Sequence, residues 1–172
     1  LANTANPGLQ ISGAGDVLVI DSGGILRNAS GAASGAGISI AGVLRINNGG
    51  RYIHNTARAN ATIVSQLSTA IGTETGIFEY NVPVSSYTPS FSGRIYGSLV
   101  LSAVSNAANV TYVGAGAMPL TVRGDLQINT MVTLSLSMSA AFNILGNFYQ
   151  ASSSVFNLQN STNSNSVRIR GN

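Results

Sequence analysis

The residues that could carry catalysis are few, because the 172 residues include only five acids and one histidine, and cysteine is absent. Two of the acids, Glu74 and Glu79, lie close together in the chain. Paired carboxylates of this kind serve glycoside hydrolysis. With Arg94 they make the one weak groove that the sequence suggests. The alternative is two solvated carboxylates, since Glu79 points outward if Phe78 and Tyr80 belong to the core.

No metal or cofactor site emerges from the remaining candidates. The only histidine, His54, has no second histidine or cysteine with which to share a metal, and we expect it to be exposed or at a corner. Asp16 and Asp125 occupy equivalent repeat positions but belong to coils that are several repeats apart, too far for one shared site. A lyase with bound calcium would need Arg94 or Arg123 as the base. We therefore predict no catalytic, cofactor-binding or metal-binding residues, and a protein that is not an enzyme.

The composition narrows the class of partner. Charged residues make up 8% of the chain, against about 25% in typical soluble domains. All eight basic residues are arginines, and the net charge of +3 is spread thinly, whereas nucleic-acid binding usually needs clustered cations. The longest apolar runs are far shorter than a membrane-spanning segment. We expect no nucleic-acid partner, no membrane insertion and no disulfides. Because the chain begins at Leu1, we expect a mature product or a piece of a longer secreted protein.

The elements that must position these residues form a repeat. The segment 42–50 (GVLRINNGG) restates the order of residue types in 17–24 (VLVIDSGG): a short alternating strand, a polar pair and a double glycine. Glycine-headed strands recur at a nearly constant spacing in most steps, with first core positions at Leu18, Leu44, Phe78, Leu99, Leu126 and Phe148. A recurrence of about two dozen residues is the signature of a solenoid.

The sequence therefore predicts an all-β fold, a right-handed parallel β-helix of about seven coils of roughly 21–27 residues, forming a single domain over 1–172. Three strands fit in each coil. The longer step between Leu44 and Phe78 predicts one insertion near 54–75, where 57–71 could form a short amphipathic helix. An antiparallel β-sandwich is the competing fold, but its strands recur at a much shorter spacing.

The repeat style resembles a known class of protein. The strings GDVLVIDSGG (15–24), GIFEYNVP (76–83), YGSLVL (96–101) and MPLTVRGDLQIN (118–129) are similar to parallel β-helix segments of large secreted bacterial surface proteins, in particular those of the Bacteroidetes type IX secretion route. The resemblance implies an extracellular, cell-attached stalk or adhesin segment. It supplies no catalytic residues.

Two hypotheses about function remain. The first is a non-catalytic structural or adhesive module, a stalk, spacer or filament unit, with neighbouring domains of the same polypeptide, like subunits or glycans as partners. The second is a carbohydrate-binding or carbohydrate-active β-helix. Outer tyrosines, for which we expect Tyr87, Tyr96 and Tyr149, would suit glycans. Four Asn-x-Ser/Thr sequons begin at Asn28, Asn60, Asn109 and Asn160, and we interpret them as incidental.

Overall fold

A computed structural model describes residues 7–31, 35–104, 109–158 and 166–171, which form a stack of short strands. The only helix of the described residues, α1, covers Ala61–Ser65. The strands are β1 Leu9–Ile20, β2 Ile25–Asn28, β3 Ile38–Ile46, β4 Arg51–His54, β5 Ile77–Tyr80, β6 Ser86–Tyr87, β7 Ile95–Tyr96, β8 Ser98–Leu101, β9 Val110–Gly116, β10 Leu120–Val122, β11 Leu126–Ile128, β12 Val132–Met138, β13 Phe142–Ile144, β14 Phe148–Gln150, β15 Val155–Leu158 and β16 Val167–Ile169.

The strands stack into parallel sheets, which excludes the antiparallel sandwich. Sheet I has the order β2-β4-β5-β8-β11-β14, sheet II the order β6-β9-β12-β15, and sheet III the order β7-β10-β13-β16, while β1 and β3 pair as sheet IV. Every pair in these sheets is parallel. Because sequence order is kept along each sheet, the chain advances by one strand spacing per turn. This is the predicted parallel β-solenoid.

Each full coil contributes one strand to each of three faces. The chain passes from sheet II to sheet III and then to sheet I, as β9, β10 and β11 do. The six strands of sheet I mark about six turns. The prediction of about seven was too high, because β15 and β16 begin a further turn that the described residues do not complete.

The predicted core column divides into two. Phe78, Leu99, Leu126 and Phe148 do stack in sheet I. Leu18 and Leu44 instead pair with each other in sheet IV, and Leu44 bridges to Leu67. The neighbour of Phe78 on the other side is Tyr52, followed by Leu26. The same glycine-headed motif occurs at two different corners of the coil, one before sheet I and one within β1 and β3. The sequence prediction therefore assigned residues of both corners to a single column.

The apparent insertion follows from that merging and was wrong. Tyr52 pairs in register with Phe78 on one side and with Leu26 on the other, and the two steps along the chain are equal in length. The segment 54–75 is therefore part of a coil of ordinary length. In the following coils, the strand of sheet I is followed by a strand of sheet II. After β4 this position is taken by helix α1, which packs against β3. The predicted helix over 57–71 thus forms over five residues.

Glycine marks the true corner that precedes sheet I. The carbonyl of Gly76 accepts a hydrogen bond from Ser98 N, and the carbonyl of Gly97 accepts one from Gly124 N. A Cβ atom at Gly97 would overlap the carbonyl oxygen of Gly76, and one at Gly76 would overlap that of Ile46. Successive coils approach too closely here for any side chain. The column consists of Gly24, Gly50, Gly76, Gly97, Gly124 and Gly146, and its bonds extend to Gly171.

Alternate residues of the central strands fill the interior. Strand β12 shows the pattern, with Val132, Leu134, Leu136 and Met138 buried while the residues between them are partly or fully exposed. Leu44 is fully buried, as predicted. Burial of this apolar surface is the main favourable contribution to folding.

Candidate functional site

Glu79 points outward from β5, as its position between Phe78 and Tyr80 predicts, but it is not solvated. Its neighbours in register are Ile53 and Val100, and the residue is only 4% exposed. Arg51, on the adjacent strand, lies 2.5 Å away through Nη2 and donates a second bond of 2.7 Å through Nε to the same oxygen, Oε2. The interpretation of Glu79 as a solvated carboxylate is therefore wrong. Its carboxylate is held in a two-bond ion pair.

Glu74 and Arg94 have other neighbours. Glu74 accepts hydrogen bonds from Gly72 N at 3.0 Å and Asn48 Nδ2 at 3.3 Å. Hydrogen bonds from its own backbone, Asn48 and Gly72 hold the pKa of Glu74 below its usual value. Arg94 donates through Nε to Ser90 Oγ at 3.1 Å. In the described part of the chain, no hydrogen bond or ion pair joins Glu74, Glu79 and Arg94 to one another.

Arg123, the other arginine considered as a base, also serves the fold. Its Nη1 donates to the carbonyl of Thr69 at 3.0 Å, and its Nη2 donates to the carbonyl of Thr73 at 2.9 Å. These bonds join segments that are far apart in sequence. The guanidinium therefore stabilises the stacking of coils on one another.

His54 is in the interior, contrary to the expectation of an exposed or corner position. It is 1% exposed, and its Nε2 lies 2.8 Å from Tyr87 Oη and 3.1 Å from the carbonyl oxygen of Arg58. Its Nδ1 is 3.5 Å from Tyr52 Oη. Burial lowers the pKa of His54 to about 4. The alternation in β4 could have indicated this, because His54 is two positions after Tyr52 and shares its inward side.

A cluster of tyrosines surrounds this histidine. Tyr87 and Tyr96, which we expected outside, are buried, and only Tyr149 of the three is exposed, at 51%. Tyr80 donates to Asn60 Oδ1 at 2.9 Å and lies 3.0 Å from Tyr96 through the two hydroxyls. Burial raises the pKa of every tyrosine in the cluster, which comprises Tyr52, Tyr80, Tyr87, Tyr96 and Tyr112.

Two of the sequons lie inside the same region. Asn28 is 1% exposed and donates to Tyr52 Oη, and Asn60 is 5% exposed and contacts both Tyr80 and Tyr87. Neither amide is accessible for modification in the folded protein. Asn109 is exposed, and Asn160 lies outside the described residues.

The outer surface has several grooves, and two of them are lined mainly by polar side chains. The first, the outer groove, has a volume of about 210 Å³ and crosses the outward side of sheet I. Asp125 Oδ1 accepts a bond from Asn147 N at 2.8 Å, and Gln127 Nε2 donates to Asn129 Oδ1 at 2.7 Å. The lining residues are Thr75, Ile77, Ser98, Val100, Asp125, Gln127 and Tyr149. This arrangement combines one exposed aromatic ring with short polar side chains.

The second groove, the corner groove, lies where the chain leaves sheet I for the next coil. Its volume is about 470 Å³, and its lining is Arg27, Asn81, Ser102, Ala103, Val104, Asn129, Thr130 and Met131. Asn129 Nδ2 donates to Ser102 Oγ at 2.9 Å. Sequence reasoning missed this groove, because its residues come from different coils and no local motif joins them.

The described residues contain no group of three or more His, Cys, Asp or Glu side chains arranged to hold a metal ion. Within the same residues, no helix has the length and apolar character needed to cross a membrane.

In comparisons with known proteins, the chain matches no protein family, no curated protein and no solved structure.

Proposed function

We propose that this chain is a non-catalytic structural or adhesive module, acting as a stalk, spacer or filament unit. One observation carries the proposal: the side chains best suited to chemistry are used to hold coils together. His54 is buried among tyrosines, Glu79 is paired with Arg51, and Arg123 binds backbone carbonyls. A rod whose reactive groups serve packing offers its outer surface for contact with other molecules.

The proposed setting is the cell surface of a bacterium, in a protein of the type IX secretion style. Support comes from the repeat style of the sequence and from an outer surface that relies on Asn, Ser and Thr more than on charge. Neighbouring domains of the same polypeptide, like subunits and glycans are the proposed partners. No nucleic-acid partner is proposed, because the arginines are distributed over several coils.

An activity panel tests the absence of catalysis. The protein is incubated with acidic and neutral polysaccharides, with and without divalent metal ions, and reducing ends and unsaturated products are measured. We expect no turnover. Turnover that is lost in Glu79→Ala but retained in a control variant, Asp21→Ala, would overturn the proposal and favour a carbohydrate-active β-helix.

A second candidate function is carbohydrate binding without catalysis. The observation that favours it is the pair of polar grooves on the outer surface, one of which contains the exposed ring of Tyr149. Aromatic rings with a polar tip suit contacts that are part apolar and part hydrogen-bonded. This function is compatible with an adhesive module.

A further inference from the structure

The corner groove is elongated along the solenoid axis. Its lining starts at Arg27 in β2, continues through Asn81 after β5 and Ser102 after β8, and ends at Asn129 to Met131 after β11. These strands are separated by four steps in sheet I, which is about 19 Å at the spacing of β-strands. A groove of this length and volume fits a chain-like ligand better than a compact one.

One polar atom of the groove lining has no hydrogen-bond partner, and a second group can still donate a bond. The Oδ1 atom of Asn81 is buried and has no hydrogen-bond partner among the described residues. A buried acceptor of this kind costs free energy unless a donor reaches it. Ser102 Oγ accepts a bond from Asn129 and still has its own hydrogen to donate. The groove therefore presents acceptors and donors to a ligand rich in hydroxyl groups.

Among the described residues that line the groove, Arg27 is the only ionisable one and none is a carboxylate, so this lining carries positive charge alone. The guanidinium is oriented by Asn55 Oδ1, which accepts bonds of 2.9 Å from Nη2 and 3.3 Å from Nε. A guanidinium held in this way is suited to a carboxylate, the common planar partner of arginine.

The far end of the groove combines an unusual backbone with apolar surface. Met131 has φ 61°, a left-handed conformation that is uncommon for residues other than glycine. Backbone strain of this kind concentrates at ligand-binding positions. The side chains of Met131, Ala103 and Val104 provide a small apolar wall, against which the C–H face of a sugar ring can pack.

From these features we infer that the corner groove binds an acidic oligosaccharide, with a uronate carboxylate on Arg27 and ring hydroxyls on Asn81, Ser102 and Thr130. The inference rests on the proposed adhesive function, for which it names a ligand class and a site. It assigns no role to the outer groove.

The test measures binding of a hyaluronan hexasaccharide by isothermal titration calorimetry, alongside the same oligosaccharide with its carboxylates reduced to alcohols. We expect the acidic form to bind about tenfold more tightly than the reduced form, and to lose affinity when salt is raised from about 0.01 M to about 1 M. Arg27→Gln should weaken binding of the acidic form about tenfold. Thr130→Val should weaken both forms about threefold.

Arg168→Gln is the matched control, because Arg168 is also exposed but lies on β16, in register with Asn143 of sheet III. It should leave binding unchanged.

Equal loss of affinity in Arg27→Gln and Arg168→Gln would overturn the site. Binding that survives Arg27→Gln and Thr130→Val but is lost in Tyr149→Ala would also overturn it. If binding is lost only in Tyr149→Ala, the proposed adhesion to glycans is kept, although the site is not the corner groove. Binding of hexaglutamate as tight as that of the saccharide would overturn the ligand class, and no binding of any saccharide would remove glycan adhesion too.

Discussion

At the scale of single residues, alternation along each strand decides which side chains enter the interior. In β4 the inward residues are Tyr52 and His54, and in β5 they are Phe78 and Tyr80. The side of the strand on which Glu79 lies could therefore be read from the sequence. Its burial could not, because that depends on Arg51, which comes within reach only through the pairing of β4 with β5.

The burial of His54 predicts a stability that falls in mild acid. Its pKa is about 4 in the folded chain, below the usual value of 6.5, so the unfolded chain binds the proton first. The contribution of this pKa difference to the free energy of unfolding is complete above pH 6.5 and is lost as the pH falls towards 4. It amounts to about 3 kcal/mol over that window. Urea unfolding at pH 7.5, 6, 5 and 4 measures it.

The chain has no other histidine, so the slope between pH 6.5 and pH 5 tests this one group. The control is His54→Gln, which removes the titration: its stability should be lower at pH 7.5 but should change little down to pH 5. An equal slope in the two proteins over that range would contradict the burial of His54.

At the scale of elements, the corners are as well determined as the strands. The sequence predicted short parallel strands, three to a coil, and these are confirmed. The sequence did not distinguish two kinds of corner, one that precedes sheet I and one that lies within β1 and β3. Both require glycine, so the same motif marks both. At Gly42 the φ angle is 136° and a Cβ atom would meet Val17, whereas at Gly97 the obstacle is the carbonyl of Gly76. Only the pairing register separates the two cases.

Replacing Gly97 with alanine should destabilise the protein by at least about 2 kcal/mol, since the new Cβ must displace the backbone of the coil beneath. A matched variant is Gly23→Ala, where φ is 78° but the surrounding space is open, so that the cost is about 1 kcal/mol from the backbone conformation alone. Chemical denaturation measures both. A smaller loss in Gly97→Ala than in Gly23→Ala would show that the corner has more room than its geometry indicates.

At the scale of the whole molecule, the interior changes chemistry along the axis. One inward column of sheet I consists, in register, of Asn28, His54, Tyr80, Leu101 and Ile128. Tyr80 belongs to the tyrosine cluster, and Asn28 and His54 contact it through Tyr52 and Tyr87. The last two residues of the column are aliphatic.

The corner groove could not be predicted from the sequence. Its lining comes from different coils, and only the pairing register places these residues side by side.

Hydrogen exchange should follow the same axis. Leu99, Leu101, Leu120 and Leu126, in the middle coils, are fully buried, whereas Ile169 in β16 is 52% exposed. Because each coil contacts mainly its neighbours, opening should begin in the terminal coils. Exchange followed by mass spectrometry should show slowest exchange in β8 and β11, and faster exchange in β15 and β16. Equal rates in all coils would indicate one cooperative unit.

The corner between sheets I and II has an unequal length from coil to coil. The connection from β8 to β9 is more than twice as long as the one from β11 to β12, while the strands on either side keep their pairing. The rod can therefore accept grafted peptides at this corner without a change in its rise, because the ladder and not the loop sets the height of each coil. Peptides inserted at successive corners would be displayed in one line along the rod, with neighbouring peptides one β-strand spacing apart.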